Sequence, residues 1–167
     1  MKKAIASLIL SLIVLLALGM EAKAQIPKEG TTSNTCVYSS AFKALPMGQE
    51  RLQMTYELLG AIIGDTSEDL FHNASWRCLG MLHAVKGEYN NSGFCVATRP
   101  DGDQIFWTYK TAGKMGVGSK GTWTYVGGTG KLTGIQGDGE VTDTPMRPAA
   151  EGTFQGYSRA KGRYKLP

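Results

Sequence analysis

The chain has 167 residues, 42% hydrophobic and 19% charged, with a formal net charge of +4. This is the composition of a globular domain rather than a disordered tail, and the length excludes more than one or two ordinary domains. Part of the positive charge lies in the first residues, so the rest is only weakly basic and a nucleic-acid partner gains no support.

Met1-Lys2-Lys3 precedes an apolar run from Ala4 to Met20, and Ala22 and Ala24 form a small-x-small site. A basic start, an apolar middle and a small-residue site are the parts of a secretory signal peptide, here expected over residues 1–24. The apolar run approaches the roughly 20 residues of a membrane span. No stop-transfer charge cluster follows it and no cysteine ends it, so no stable membrane anchor is expected after cleavage. A periplasmic or secreted location follows. In an oxidising compartment two of Cys36, Cys78 and Cys95 are expected to pair, leaving one thiol. The sequence does not choose among the three pairings.

Residues 25–33, QIPKEGTTS, are polar and aperiodic and read as a flexible lead-in to a domain over 34–167. Beyond them period-2 stretches broken by glycine-rich turns dominate, which is an all-β pattern. Strands are expected at 36–45, 52–63, 76–85, 121–126, 131–135 and 139–143, together with a hairpin over 94–109. In that hairpin FCVATR and QIFWTYK flank Pro100-Asp101-Gly102-Asp103, residues suited to a tight turn. Setting Arg99 opposite Gln104 places Phe94, Val96, Ile105, Trp107 and Tyr109 on one inner face.

The stretch GTWTYVGGTGKLTGIQGDGEVT, from Gly121 to Thr142, superficially resembles a phosphate-binding loop. Such a loop needs G-x-x-x-x-G-K-[ST] between a strand and a helix. Here Tyr125 stands at the first glycine position and Leu132 at the hydroxyl position. A hairpin is the better reading, with Trp123 and Tyr125 on its inner face and the glycines at its turn. At the C-terminus, FQGYSRAKGRYKLP alternates cleanly. Phe154, Gly156, Ser158, Ala160, Gly162, Tyr164 and Leu166 share one face, and Arg159, Lys161, Arg163 and Lys165 the other. The small inner residues either accommodate a neighbouring aromatic ring or border a cavity. In sum these elements predict a single antiparallel β-barrel of about eight strands, with short connections and no exposed edge.

GTWTYVGGTGKLTGIQGDGEV resembles the glycine-rich hairpin of the allene oxide cyclase-like and dirigent-like barrels. HNASWRCLG and DGDQIFWTY are similar in spirit to small exported bacterial members of that group. The resemblance implies an eight-stranded barrel with an apolar cavity that in some members steers a cyclisation or radical coupling. It also implies assembly as a homo-oligomer. It transfers no catalytic residue, and neither Glu50 nor Glu57 aligns with the reactive acid of the cyclases.

Other chemistry is poorly represented. Ser158-Arg159-Ala160-Lys161 matches S-x-x-K, but that motif needs a helix to bring its ends together. His72 and His83 lack metal-ligand spacing, and Cys78 and His83 fall on opposite faces of one strand. No metal and no cofactor is expected. Asp65, Glu68 and Asp69 read as a solvated loop, and the basic row of the last strand as a solvated face. The expected function is to bind an apolar or aromatic small molecule, without catalysis, among Phe94, Val96, Trp107, Tyr109, Trp123, Tyr125, Gly156 and Ala160. One alternative is a cyclase or isomerase using Tyr109, His83 or Glu57. Another is an envelope module acting through its basic face. Whether the protein is an enzyme is left open.

Overall fold

The computed structural model describes residues 26–151 and 153–167, and the expected signal peptide, residues 1–24, lies outside them. Eight antiparallel strands follow one another around a closed barrel: β1 (Glu29–Pro46), β2 (Arg51–Gly64), β3 (Ala74–Val85), β4 (Glu88–Thr98), β5 (Gln104–Lys114), β6 (Gly118–Gly128), β7 (Gln136–Pro145) and β8 (Phe154–Lys165). Each strand pairs with its sequence neighbours, and β8 returns to β1, so no edge is left unpaired.

β1 begins earlier than the polar lead-in suggested. Glu29 to Ser33 pair with Lys165 to Lys161, and Thr32 and Asn34 are buried on the inner face. The inner residues here are hydroxyl and amide side chains, so the alternation is real but is not an alternation of hydrophobicity. Residues 131–135 are likewise not a strand. A 3-10 turn at Gly130–Leu132 starts from Gly130 at φ +54, a left-handed conformation that breaks an extended chain. Its purpose in the fold is to bury Leu132.

The β4–β5 hairpin is one residue tighter than expected. Arg99 N–H donates to the Asp103 carbonyl, and Gly102 N–H donates to Arg99 O, both at 2.9 Å. Gly102 at φ +88 closes the turn after three residues rather than four. Thr98 therefore faces Gln104, Ala97 faces Ile105 and Cys95 faces Trp107. A one-residue slip turns a whole strand over. Phe94 and Val96 lie outside, while Cys95 and Ala97 lie inside and are buried.

The register also settles the disulfide: Cys78 and Cys95 are direct partners across β3 and β4 and are bonded, leaving Cys36 as a buried free thiol.

The two ends of the barrel differ. At the end holding the β2–β3, β4–β5 and β6–β7 loops, Leu70, Phe71, Leu132, Ile135 and Leu166 are buried and close the floor over Ile62 and Ile105. Asp69 secures this floor. Its carboxylate accepts the N–H groups of Ser33 (2.7 Å) and Phe71 (2.9 Å), so one of the three loop acids is structural rather than simply solvated. Arg99 donates to the carbonyl of Leu70. Lys131 and Arg99 both reach Asp101, at 2.9 and 3.3 Å. The opposite end carries the other four connections and, among the described residues, no comparable plug.

Candidate functional site

The barrel encloses a cavity of about 410 Å³ that runs from Phe71 and the tryptophans at the floor to Phe42, Leu52, Met115 and Pro145 at the open rim. Its wall follows from period-2 alternation: every second residue of each strand points inward, so eight strands deliver a ring of side chains at each level. Large aromatics supply much of that ring. They make a ladder from rim to floor, with Tyr38 6.3 Å from Phe154 and 5.8 Å from Trp76, and Trp76 6.4 Å from Trp107. Below, Phe71 lies between Trp107 and Tyr125 at 5.7 and 6.1 Å, and Tyr125 meets Trp123 at 4.8 Å.

Both readings of the small residues on β8 describe part of the strand. A Cβ on Gly162 would come within 2.3 Å of the Trp123 ring, and one on Gly156 within 2.6 Å of the Tyr38 hydroxyl. These glycines are covered by aromatics. Ala160, between them, borders the open space.

Of the residues picked from sequence, Trp107, Tyr109, Trp123 and Ala160 line the cavity. Tyr125 is inward but sealed beneath it, and Gly156 is inward but beneath Tyr38. Phe94 and Val96 cannot contribute to the interior, because the tighter turn puts them on the outer face, where Phe94 is 69% exposed. Of the other ionisable candidates, His83 is exposed. Glu57 is taken up by Arg77 at 2.5 Å on the outer face. Only Tyr109 is inward.

The polar part of the wall was largely missed. Tyr56 and Tyr109 hydroxyls are hydrogen-bonded to each other, and Tyr56 donates to Asn91 Oδ1. Nearer the rim Asp143 points inward from β7 and accepts the hydroxyls of Ser119 (2.6 Å) and Ser158 (2.5 Å), its ladder partners on either side. The signal was present: Gly139, Val141 and Asp143 alternate in an expected strand, so an inward Val141 commits Asp143 to the same side.

Electrostatically this interior favours neutral phenols and thiols. Burial, with the Asp143 charge adding to it, pushes the Cys36 thiol up to about 12. Burial likewise raises Tyr56 to about 12, against the opposing hydrogen bonds from Tyr109 and Asn91. Tyr38, Tyr89 and Tyr109 move upward for the same leading reason, each with a further push from Asp143. Removing charged forms from water is what burial disfavours. Among the described residues no group of three or more His, Cys, Asp or Glu side chains is placed to hold a metal.

The basic row of β8 is partly neutralised: Arg163 meets Asp138 at 2.9 Å and Arg159 meets Asp65 at 3.7 Å.

No family model matches the chain, and no curated protein does. Its architecture is similar to the solved structure of the pterocarpan synthase dirigent protein GePTS1. That likeness has a TM-score of 0.51 at 11% identity, and covers 86% of this chain and 90% of that one. At this identity the likeness is one of fold alone: the chain shares the β-barrel architecture of that protein.

Proposed function

We propose that the protein holds a small, largely apolar molecule inside its barrel, binding or guiding it without chemistry of its own. The observation that carries this reading is the cavity of about 410 Å³, open at one rim and walled mainly by aromatic and aliphatic side chains. Its size falls within the usual range of ligand pockets, roughly 300–1,000 Å³, and its few convergent polar groups would fix an orientation. The dirigent-like fold supports a role of this kind, although one fold hosts many functions. Export to the periplasm or beyond agrees with the Cys78–Cys95 disulfide, which an oxidising compartment maintains.

The inward Asp143 and the Tyr56–Tyr109 pair favour a second reading, in which the barrel folds a flexible substrate and a wall group moves a proton during a cyclisation or isomerisation. Positioning alone can supply a large share of such a rate. Native mass spectrometry of the protein purified gently from its own host separates the two. An adduct released on denaturation and recovered chemically unchanged supports a carrier, whereas one converted during incubation supports an enzyme. A bare mass together with no uptake of any apolar probe overturns both.

We further propose self-association through the outer face of β2 to β4. Leu79 stands opposite Phe94 there, and both side chains, with Leu59 and Met81, are more than half exposed.

A further inference from the structure

The cavity wall is electrically one-sided. Among the described residues Asp143 is the only one lining it that carries a formal charge, and no lysine, arginine or histidine of theirs borders the space. None of the ion pairs among the described residues includes Asp143. The nearest cations in the ladder, Lys120 and Arg159, stand opposite Thr142 and so belong to the outer face, where Arg159 turns to Asp65. Ser119 and Ser158 satisfy one oxygen each of the carboxylate. Two hydroxyl dipoles do not cancel a charge, and Asp143, half-buried near the open rim, would give up its remaining water to any ligand that covers it.

The surrounding wall has the same polarity. Tyr38, Tyr56, Tyr89, Tyr109, Trp107 and Trp123 border the same space, and the faces of such rings carry partial negative charge that attracts a cation. An anionic ligand would meet repulsion from Asp143. A neutral one would gain packing but leave that charge uncompensated.

We infer that the cavity selects an organic ammonium ion, a protonated or quaternary amine on an apolar body, with its cationic head beside Asp143 and among the aromatic rings. This rests on the ligand-binding reading above and narrows it to one chemical class. A head of this kind offsets the charge that the two serines leave, while the body fills the lower cavity over Trp107 and Trp123.

Two probes of the same shape test the idea: benzyltrimethylammonium and its carbon isostere (2,2-dimethylpropyl)benzene, titrated against tryptophan fluorescence, with phenylacetate as the anion. The cation should bind at least about tenfold more tightly than the neutral isostere, the scale of a few desolvated cation–aromatic contacts, and phenylacetate more weakly than either. Asp143→Asn should reduce that preference to within about threefold. A thermal melt verifies that the variant is folded, and the wild-type comparison of isosteres decides the matter even if it is not. Equal affinity for the two isosteres, or a preference for phenylacetate, overturns the inference while leaving a ligand cavity in place. Binding of none of the three overturns both this inference and the reading on which it rests.

Discussion

Cys78 on β3 stands directly opposite Cys95 on β4, and their disulfide forms part of the cavity wall. It closes a segment with a sequence separation of 17, a loop size for which cross-linking the unfolded chain is worth about 3 kcal/mol. The double variant Cys78→Ala/Cys95→Ala should therefore lose about 2–4 kcal/mol in urea unfolding while keeping its far-UV spectrum, since eight paired strands do not depend on one bond. A variant as stable as the parent would mean that the link constrains nothing the ladder does not already fix.

The glycines and the alanine of β8 should respond to enlargement in opposite ways. Gly162→Leu drives a side chain into Trp123 and the Asp138 carbonyl, and Gly156→Leu into Tyr38 and the Thr144 carbonyl. Each should cost 1–3 kcal/mol or more, as overpacking does. Ala160→Leu grows into open space, so its melting temperature should stay near the parent's while uptake of an apolar probe falls severalfold. Equal destabilisation at all three sites would show that the space beside Ala160 is already filled.

High pH should unfold this barrel abruptly. The Cys36 thiol, ordinarily near 9.0, and the Tyr56 phenol, ordinarily near 10.0, are both pushed up to about 12, and Tyr38, Tyr109 and Tyr125 are also raised. The folded state binds these protons more tightly than the unfolded chain. The stability they contribute is complete below about pH 9 and is lost as pH rises from there through about 12. Tyrosinate absorbance from the buried rings should thus appear together with loss of the near-UV circular dichroism. Smooth titration of all seven tyrosines near their ordinary value, with the fold intact, would contradict the burial.

The barrel itself was legible because strand periodicity and glycine-rich turns are local signals. The β8 alternation was read correctly from Phe154 to Leu166 because its outer side is charged and its inner side is not. The β4 register depends on a single backbone torsion: with Gly102 left-handed the turn is three residues long, and every side chain of β4 changes sides. Phe94 is a large aromatic on the outside, against the usual pattern, so hydrophobicity alone favoured the wrong register. Asp143 was overlooked for the converse reason, a charged residue on an inward position. The partners that make its position tolerable, Ser119 and Ser158, are 24 and 15 residues away in sequence. No local reading brings those hydroxyls to it.

Acid should weaken the closed end through Asp101. A hydrogen bond from Lys131, aided by the Asp103 N–H and Arg99, holds its carboxyl at about 2, below the ordinary 3.8. The folded state therefore prefers the ionised form, and the contribution exists above about pH 4 and disappears as pH falls through about 2. Partly exposed pairs are worth about 1 kcal/mol or less, so Asp101→Asn should lower the urea midpoint modestly near neutrality and progressively less as pH falls through about 2. A gap that persists at low pH would trace the effect to turn geometry instead of charge.

The outer face of β2 to β4 provides the remaining prediction. Phe94, 69% exposed, and Leu79, 55% exposed, form a cross-strand pair whose burial only another molecule can complete. Surface substitutions that break no internal contact usually alter stability by less than about 0.5 kcal/mol. The variant Phe94→Asp should keep its unfolding midpoint, and in sedimentation it should run as a monomer under conditions where the parent self-associates. Like charges added on one self-contacting patch repel across an interface as well as desolvating poorly, so Phe94→Asp/Leu79→Asp should dissociate at still higher concentration. A parent that is monomeric throughout, or an assembly untouched by both variants, would remove this face as the site of association.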